Sequence, residues 1–421
     1  MTNISPEQLS AANLRFEKSH PGDTGNRRPI HVVYGGAHLF KADTCAKLGQ
    51  LAQKSWALYA PDPVALAHIL GLDAQTAATL YPRISEKLQR EALEDYRVDF
   101  EDGYGIRLDA DEDAHCDAAA EQMALAFAEN KLPPYCGIRV KALAEDSKHR
   151  GLRTLEHFLT SLLQHTGGKL PQNFVVTLPK ITVPEQVAVL MDALTPFPAV
   201  KVELMMETPQ ILLRLVELVE LTGGRCAGVH FGPYDYTSQL GITASQQSLR
   251  HPACDFARST MQVTLAGRGL ALSDGPTTQM PIAPHRGENL TAAQQEENHA
   301  AVHAAWRLQY SNVRHALHNG IYQGWDLHPA QVPIRYAAVY AFFLEGLDAA
   351  SARLRNFIGK AAQATRVGGV FDDAATGQGL LNYFLRAISC GAIPEADIPA
   401  LTGLSIAQLR TASFADILQT L

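Results

Sequence analysis

No stretch of this sequence approaches the roughly 20 consecutive apolar residues of a membrane span. The N-terminus, MTNISPEQLSAANLRFEKSH, has no apolar h-region, so export is not expected. There is no C-x-x-C pair. The six cysteines (Cys45, Cys116, Cys136, Cys226, Cys254 and Cys390) are scattered, as expected of reduced thiols in a cytoplasm. Basic runs are missing as well, and 36 basic against 43 acidic residues give a net charge of −7. That balance argues against nucleic acid or an anionic membrane as partner. Internal repeats and low-complexity tracts are also lacking. What is present is 46% hydrophobic and 19% charged residues, an ordinary globular composition. A chain of 421 residues has room for one large α/β domain with extras, or for two to three domains.

Eight short apolar runs recur, each ending in polar or glycine-rich residues. They are PIHVVYGG (29–36), YRVDFEDGYG (96–105), YCGIRVKAL (135–143), NFVVTLPK (173–180), VKVELMME (200–207), CAGVHFGPYDYT (226–237), GLALSDG (269–275) and GIYQGWDLHP (320–329). Helical patterns fall between them, as at 184–194, 209–222 and 292–318. Eight strands alternating with helices predict an α/β fold, a (β/α)8 TIM barrel over residues 29–332. Extra helix is expected within 37–95, and a long loop with a helix within 276–319. Residues 1–28 are polar and read as an N-terminal arm. Residues 333–421 read as a C-terminal helical extension, with apolar surface that must be covered by its own barrel or by a neighbour.

The fifth run shows where chemistry is expected. In VELMMETPQILLRLVELV (202–219) an apolar strand ends at Glu207, and Thr208 and Pro209 open a helix. In parallel α/β barrels that edge carries the active site. The other strand ends add Asp99, Glu101 and Asp102, then Arg139 and Lys141, Lys180, Asp235, Asp274 and His328. Such a carboxylate-rich mouth suits a hard divalent ion, Mg2+ or Mn2+, that takes one or two protein carboxylates and keeps waters. Open positions on that ion would take a chelating 2-keto acid, and a nearby arginine would stabilise a developing enolate. The chemistry expected is making or breaking a C–C bond next to a carbonyl.

Six segments, in order and each on its proper strand, resemble the HpcH/HpaI aldolase and citrate lyase family, in its citrate-lyase-β-like and malyl-CoA-lyase-like branch. They are VDFEDGYG, GIRVK, TLPKI, MMETPQ, GVHFGPYDYTSQLG and GWDLHPAQV. The resemblance implies a metal bound by Glu207 and Asp235. It also implies that Glu101 and Asp102 orient metal-bound waters or ligands, and that Arg139 holds a substrate carbonyl or carboxylate. GGVFDDAATGQG (368–379) looks like the segment that brings a catalytic aspartate, here Asp372, often to a neighbouring subunit, so a homo-oligomer is expected. Lys180 is taken as a further site residue. Family members that use CoA thioesters often carry a lysine at a position held here by Gly324, and the 276–319 insertion is not typical. Both departures favour a free hydroxy- or keto-acid substrate. The alternative is a lyase or thioesterase acting on a malyl-CoA- or citramalyl-CoA-like ester.

Plainer readings stand beside these. Glu207 and Asp235 would otherwise accept helix N-terminal amides, and Glu101 and Asp102 would pair with Arg139 or Lys180. Lys180 would neutralise the pocket. His38 is either a general base or a loop histidine. His328 anchors its strand end, Asp274 lines the mouth or does not, and His299 with His303 belongs to a solvated helix face rather than a zinc site.

Overall fold

The computed structural model describes residues 4–23, 25–362, 374–411 and 417. Eight parallel strands close into a barrel: β1 His31–Gly36, β2 Asp95–Asp99, β3 Tyr135–Arg139, β4 Phe174–Leu178, β5 Lys201–Met206, β6 Cys226–Phe231, β7 Ala271–Asp274 and β8 Gln323–Trp325. β8 returns to β1 through His31↔Gly324 and Val32↔Trp325, which completes the ring. Helices connect the strands, and among the described residues none is long and apolar enough to cross a membrane.

The expected runs and the strands agree in number and order; most strands stop short of the residues that end their runs, while β1 takes in Gly35 and Gly36 and β7 takes in Asp274. Helix Ala292–His318 matches its expected limits and opens with a capping box of Thr291 and Gln294. The expected helix over 209–222 is instead two, Pro209–Leu212 and Leu215–Leu221. Thr208 does not cap the first of these; its hydroxyl donates to the Ile181 carbonyl.

The outward faces of the strands supply the expected core. Val98, Ile138, Val176, Leu204 and Val229 are all fully buried. The inward faces are unusual, because TIM-barrel interiors are ordinarily filled by branched apolar residues. Here the register sets Tyr34 beside Arg97, Asp99 beside Arg139, and Thr177 beside Glu203. Glu203 accepts from the Tyr34 hydroxyl at 3.1 Å and from Thr177 Oγ1 at 2.9 Å, while Arg97 pairs with Asp95. Buried polar groups of this kind are tolerated when they satisfy one another.

The chain divides into two compact units. One comprises Pro29–Met261 and Ala271–Ala341, which hold the barrel; the other comprises Met1–Arg28, Gln262–Leu270 and Phe342–Leu421. Within the second, the residues read from sequence as an arm form a helix, Pro6–Ser19, capped by Ser5 and Gln8. Leu381, Phe384, Leu385, Ile398 and Leu409 are buried there, and Arg386 pairs with Asp23 at 2.7 Å.

Candidate active site

At the C-terminal end of the barrel, β2 and β3 present Asp99 and Arg139 as Cα neighbours. Arg139 donates from Nε to Asp99 Oδ1 at 2.7 Å and from Nη2 to Oδ2 at 2.5 Å. Asp99 also accepts from the backbone N–H groups of Glu101 at 3.0 Å and Gly103 at 2.8 Å. One carboxylate thus fixes both the guanidinium and the loop that carries Glu101 and Asp102. A Cβ on Gly103 would stand 2.6 Å from Asp99 Oδ2, so this tight loop needs glycine there. The third arginine nitrogen, Nη1, turns toward Glu101 at 3.2 Å and Asp102 at 3.9 Å.

Lys180 follows β4 in a left-handed conformation, φ 49°, which a residue with a Cβ rarely adopts. That conformation aims its backbone N–H at Glu207 Oε1, 2.6 Å away. Its ammonium reaches Glu101 and lies 2.9 Å from both oxygens of Asp102. Lys180 therefore joins the β2 carboxylates to the β5 carboxylate. Glu207, one residue past β5, is 3% exposed. The Gly232 position leaves space for it, since a Cβ there would overlap Glu207 Cβ and Oε2. Asp235 lies in the first turn of helix Pro233–Gln239 and is half-buried.

Burial pushes the Glu207 carboxyl up to about 7; Lys180 opposes this, and the charge of Asp235 adds to it. Burial likewise raises Glu101 against the pull of Arg139 and Lys180. For Lys180, burial disfavours the charge, but hydrogen bonds to Glu101 and Asp102 outweigh it and hold the ammonium above its usual range. A buried carboxylate whose charge is disfavoured is a place where a cation lowers the energy.

The remaining strand-end residues turn elsewhere. Lys141 donates to the carbonyls of Phe100 at 2.7 Å and Gly105 at 3.2 Å and pairs with Glu112. Asp274 is held by Arg258 at 2.9 Å and is buried. His328 accepts from Ala330 N–H and closes its own turn. His38 packs against the rings of Tyr104 and His115. His303 hydrogen-bonds the Tyr59 carbonyl at 2.8 Å. Asp372 lies outside the described residues.

The sequence reading passed over the inward-facing aromatic groups beside Arg139. Its guanidinium carbon lies 5.0 Å from the Tyr34 ring centroid and 5.3 Å from that of Trp325. The two rings are 4.5 Å apart, and His230 stands edge-on to both. Period-two counting back from Gly36, Gly232 and Leu327 would have flagged Tyr34, His230 and Trp325 as one inner face, but not their joint placement.

The donor set fits a hard cation. Glu207 and Asp235 are carboxylates from adjacent β/α units, and the charge of Asp235 adds to the burial that raises the Glu207 carboxyl. Among the described residues no group of three or more His, Cys, Asp or Glu side chains gathers as a metal cage. A two-carboxylate site completed by waters and substrate is the arrangement typical of Mg2+.

Residues 9–417 match the family described as Domain of unknown function (DUF6986), and the chain belongs to that family. No curated protein matches it in sequence. Among solved structures it is similar to a citrate lyase from Burkholderia xenovorans LB400, at 18% identity and TM-score 0.56, over 89% of this chain and 96% of that one. It is also similar to protein CitE from Mycobacterium tuberculosis in complex with magnesium, acetoacetate and coenzyme A. That match has 16% identity and TM-score 0.47, over 87% of this chain and 99% of that one. At such identities, the first likeness shows the shared barrel fold.

Proposed function

We propose that this chain is a divalent-metal-dependent carbon–carbon lyase, an aldolase that cleaves or forms the bond next to the carbonyl of a 2-keto acid or related hydroxy acid. The observation that carries this reading is the buried Glu207 beside Asp235, in a mouth where Asp99 has already oriented Arg139. Glu207 and Asp235 would hold Mg2+ or Mn2+, which when bound supplies Lewis acidity to a keto oxygen.

The chain's own groups do the rest. Arg139 uses Nε and Nη2 on Asp99, so Nη1 is the donor left facing the mouth, where it binds a substrate carbonyl or carboxylate oxygen. Because the guanidinium is fixed before substrate arrives, little ordering remains for the reaction. Glu101 and Asp102 accept hydrogen bonds from waters or substrate hydroxyls at the rim. Lys180 keeps those two acids from repelling an anionic substrate. Asp372, from the C-terminal extension, is assigned a catalytic role in a homo-oligomer on the resemblance of its segment.

The second reading is a lyase or thioesterase acting on a CoA ester. Against it stands Gly324, where the CoA-using pattern has lysine: a Cβ there would lie 2.7 Å from Arg335 Nη1. A free acid is therefore the preferred substrate. Incubation with Mg2+ and candidate acids or CoA esters separates the readings. Release of a 2-keto acid or aldehyde marks the lyase, free thiol without a carbonyl product marks the thioesterase, and full activity after exhaustive chelation would refute the metal site.

A further inference from the structure

Beside Arg139 the barrel interior holds polar atoms that nothing in the described chain satisfies. Both ring nitrogens of His230, the Nε1 of Trp325 and the Oγ of Ser273 are buried without a hydrogen-bond partner among the described residues. His230 is 0% and Ser273 2% exposed. They are Cα partners on β6 and β7, and His230 precedes Gly232 by two residues, so it faces inward one step beneath the Glu207 carboxylate. Trp325 and Tyr34, from the closing strands β8 and β1, lie with ring centroids 4.5 Å apart and planes tilted by 48°, and complete the wall. Leaving a buried donor or acceptor unpaired costs about 1–3 kcal/mol each. The side chains that carry these four atoms belong to one cluster beside Arg139, and their unpaired state marks it as a place for an occupant.

Tyr34 and Trp325 each keep part of their surface exposed, although both belong to the inner face of a closed barrel. Burial pushes the His230 imidazole down to about 4, so it stays neutral and offers one donor and one acceptor. Trp325 offers a donor, and Ser273 offers either. A carboxylate would meet the lone pair of the neutral imidazole, whereas a hydroxyl both donates and accepts. An apolar group would leave all four atoms unpaired.

We infer that Tyr34, His230, Ser273 and Trp325 form a substrate subsite beside Arg139 that receives a hydroxyl group of the acid. This rests on the reading of the mouth as an acid-binding lyase site, and it adds what the substrate must carry away from the metal-facing oxygens: an alcohol rather than a methyl group.

Calorimetric titration of the Mg2+-loaded protein with hydroxypyruvate and with pyruvate tests it. Sites that hydrogen-bond a hydroxyl discriminate strongly against the analogue that lacks it, so hydroxypyruvate should bind at least about tenfold tighter. In Trp325→Phe and His230→Phe the ratio should fall toward one, with pyruvate affinity kept within about twofold, since the mouth is untouched. Trp325→Phe keeps a ring in place and serves if the histidine variant does not fold. Equal affinities in the wild type would mean that water alone fills the spot, and they would overturn the subsite while leaving the lyase reading intact. Variants that retain the wild-type ratio would overturn it as well. Binding of neither acid would overturn the lyase reading and the subsite together.

Discussion

The backbone N–H of Lys180 donates to Glu207 Oε1 at 2.6 Å, and it does so from φ 49°. A residue with a side chain is held in a left-handed conformation at the point where two strand ends meet the same site. Strain of this kind persists where the surroundings over-determine it, and it clusters at functional sites. Lys180 combines a backbone role toward Glu207 with a side-chain role toward Glu101 and Asp102.

The two roles separate by substitution. Lys180→Met keeps the backbone bond and the strained φ but removes the ammonium. It should lower stability by about 1–2 kcal/mol, a discounted figure because Asp102 is largely solvent-exposed. Lys180→Gly also loses the ammonium but relieves the left-handed strain, which is about 1 kcal/mol. The stability order by urea denaturation should be wild type, then glycine, then methionine. A methionine variant at least as stable as the glycine variant would refute the strain.

Metal binding is read directly by calorimetry. Glu207→Gln and Asp235→Asn should each weaken Mg2+ binding at least about tenfold, with circular dichroism unchanged, because each removes one charged oxygen ligand. Mg2+ affinity that survives either change would place the ion elsewhere.

The pH dependence follows from Glu207. Its folded pKa, about 7, lies above the ordinary 4.5. The folded metal-free protein therefore holds a proton that the unfolded chain has released, and this stabilising contribution is fully present below pH 4.5. It is lost as pH rises through about 7, by up to about 3 kcal/mol. Asp95, also pushed by burial to about 7, adds to the same slope. The buried His31 and His230, pushed down to about 3 and about 4, act with the opposite sign over the same range, so the readout is a difference: in chelator, Glu207→Gln should lose less stability than the wild type as pH rises from about 4.5 to 7. With Mg2+ present, affinity should rise over the same window, because the proton and the ion compete for one carboxylate. Parallel profiles for the wild type and Glu207→Gln would contradict the burial of Glu207.

Gly232→Ala should harm the site without straining the backbone, since φ there is −103°. The added methyl group would occupy space held by Glu207, so the carboxylate must move. A stability loss of about 1–3 kcal/mol and a fall in Mg2+ affinity are expected. Unchanged Mg2+ affinity in calorimetry would show that Glu207 is not held where the metal needs it.

Much of this molecule is legible in its sequence. Each strand is announced by an apolar run with turn or helix-start chemistry at its end, as in VELMMETP, and local physics suffices because those signals act over a few residues. Strand-end position likewise brought Glu101, Asp102, Arg139, Lys180 and Glu207 into one reading. Tertiary structure decided what each did with its neighbours. Asp274 and Lys141 looked equivalent to the others until Arg258, Glu112 and two carbonyls drew them away. Asp99 became the clamp on Arg139 through strand register, which pairing across the sheet sets. The inner polar face was hidden for the same reason. A strand buried on both sides does not tell its inward residues from its outward ones, so Glu203, His230 and Trp325 gained their common surroundings only when β8 closed on β1. The left-handed Lys180 has no local signal, since it is imposed by Glu207 from another strand.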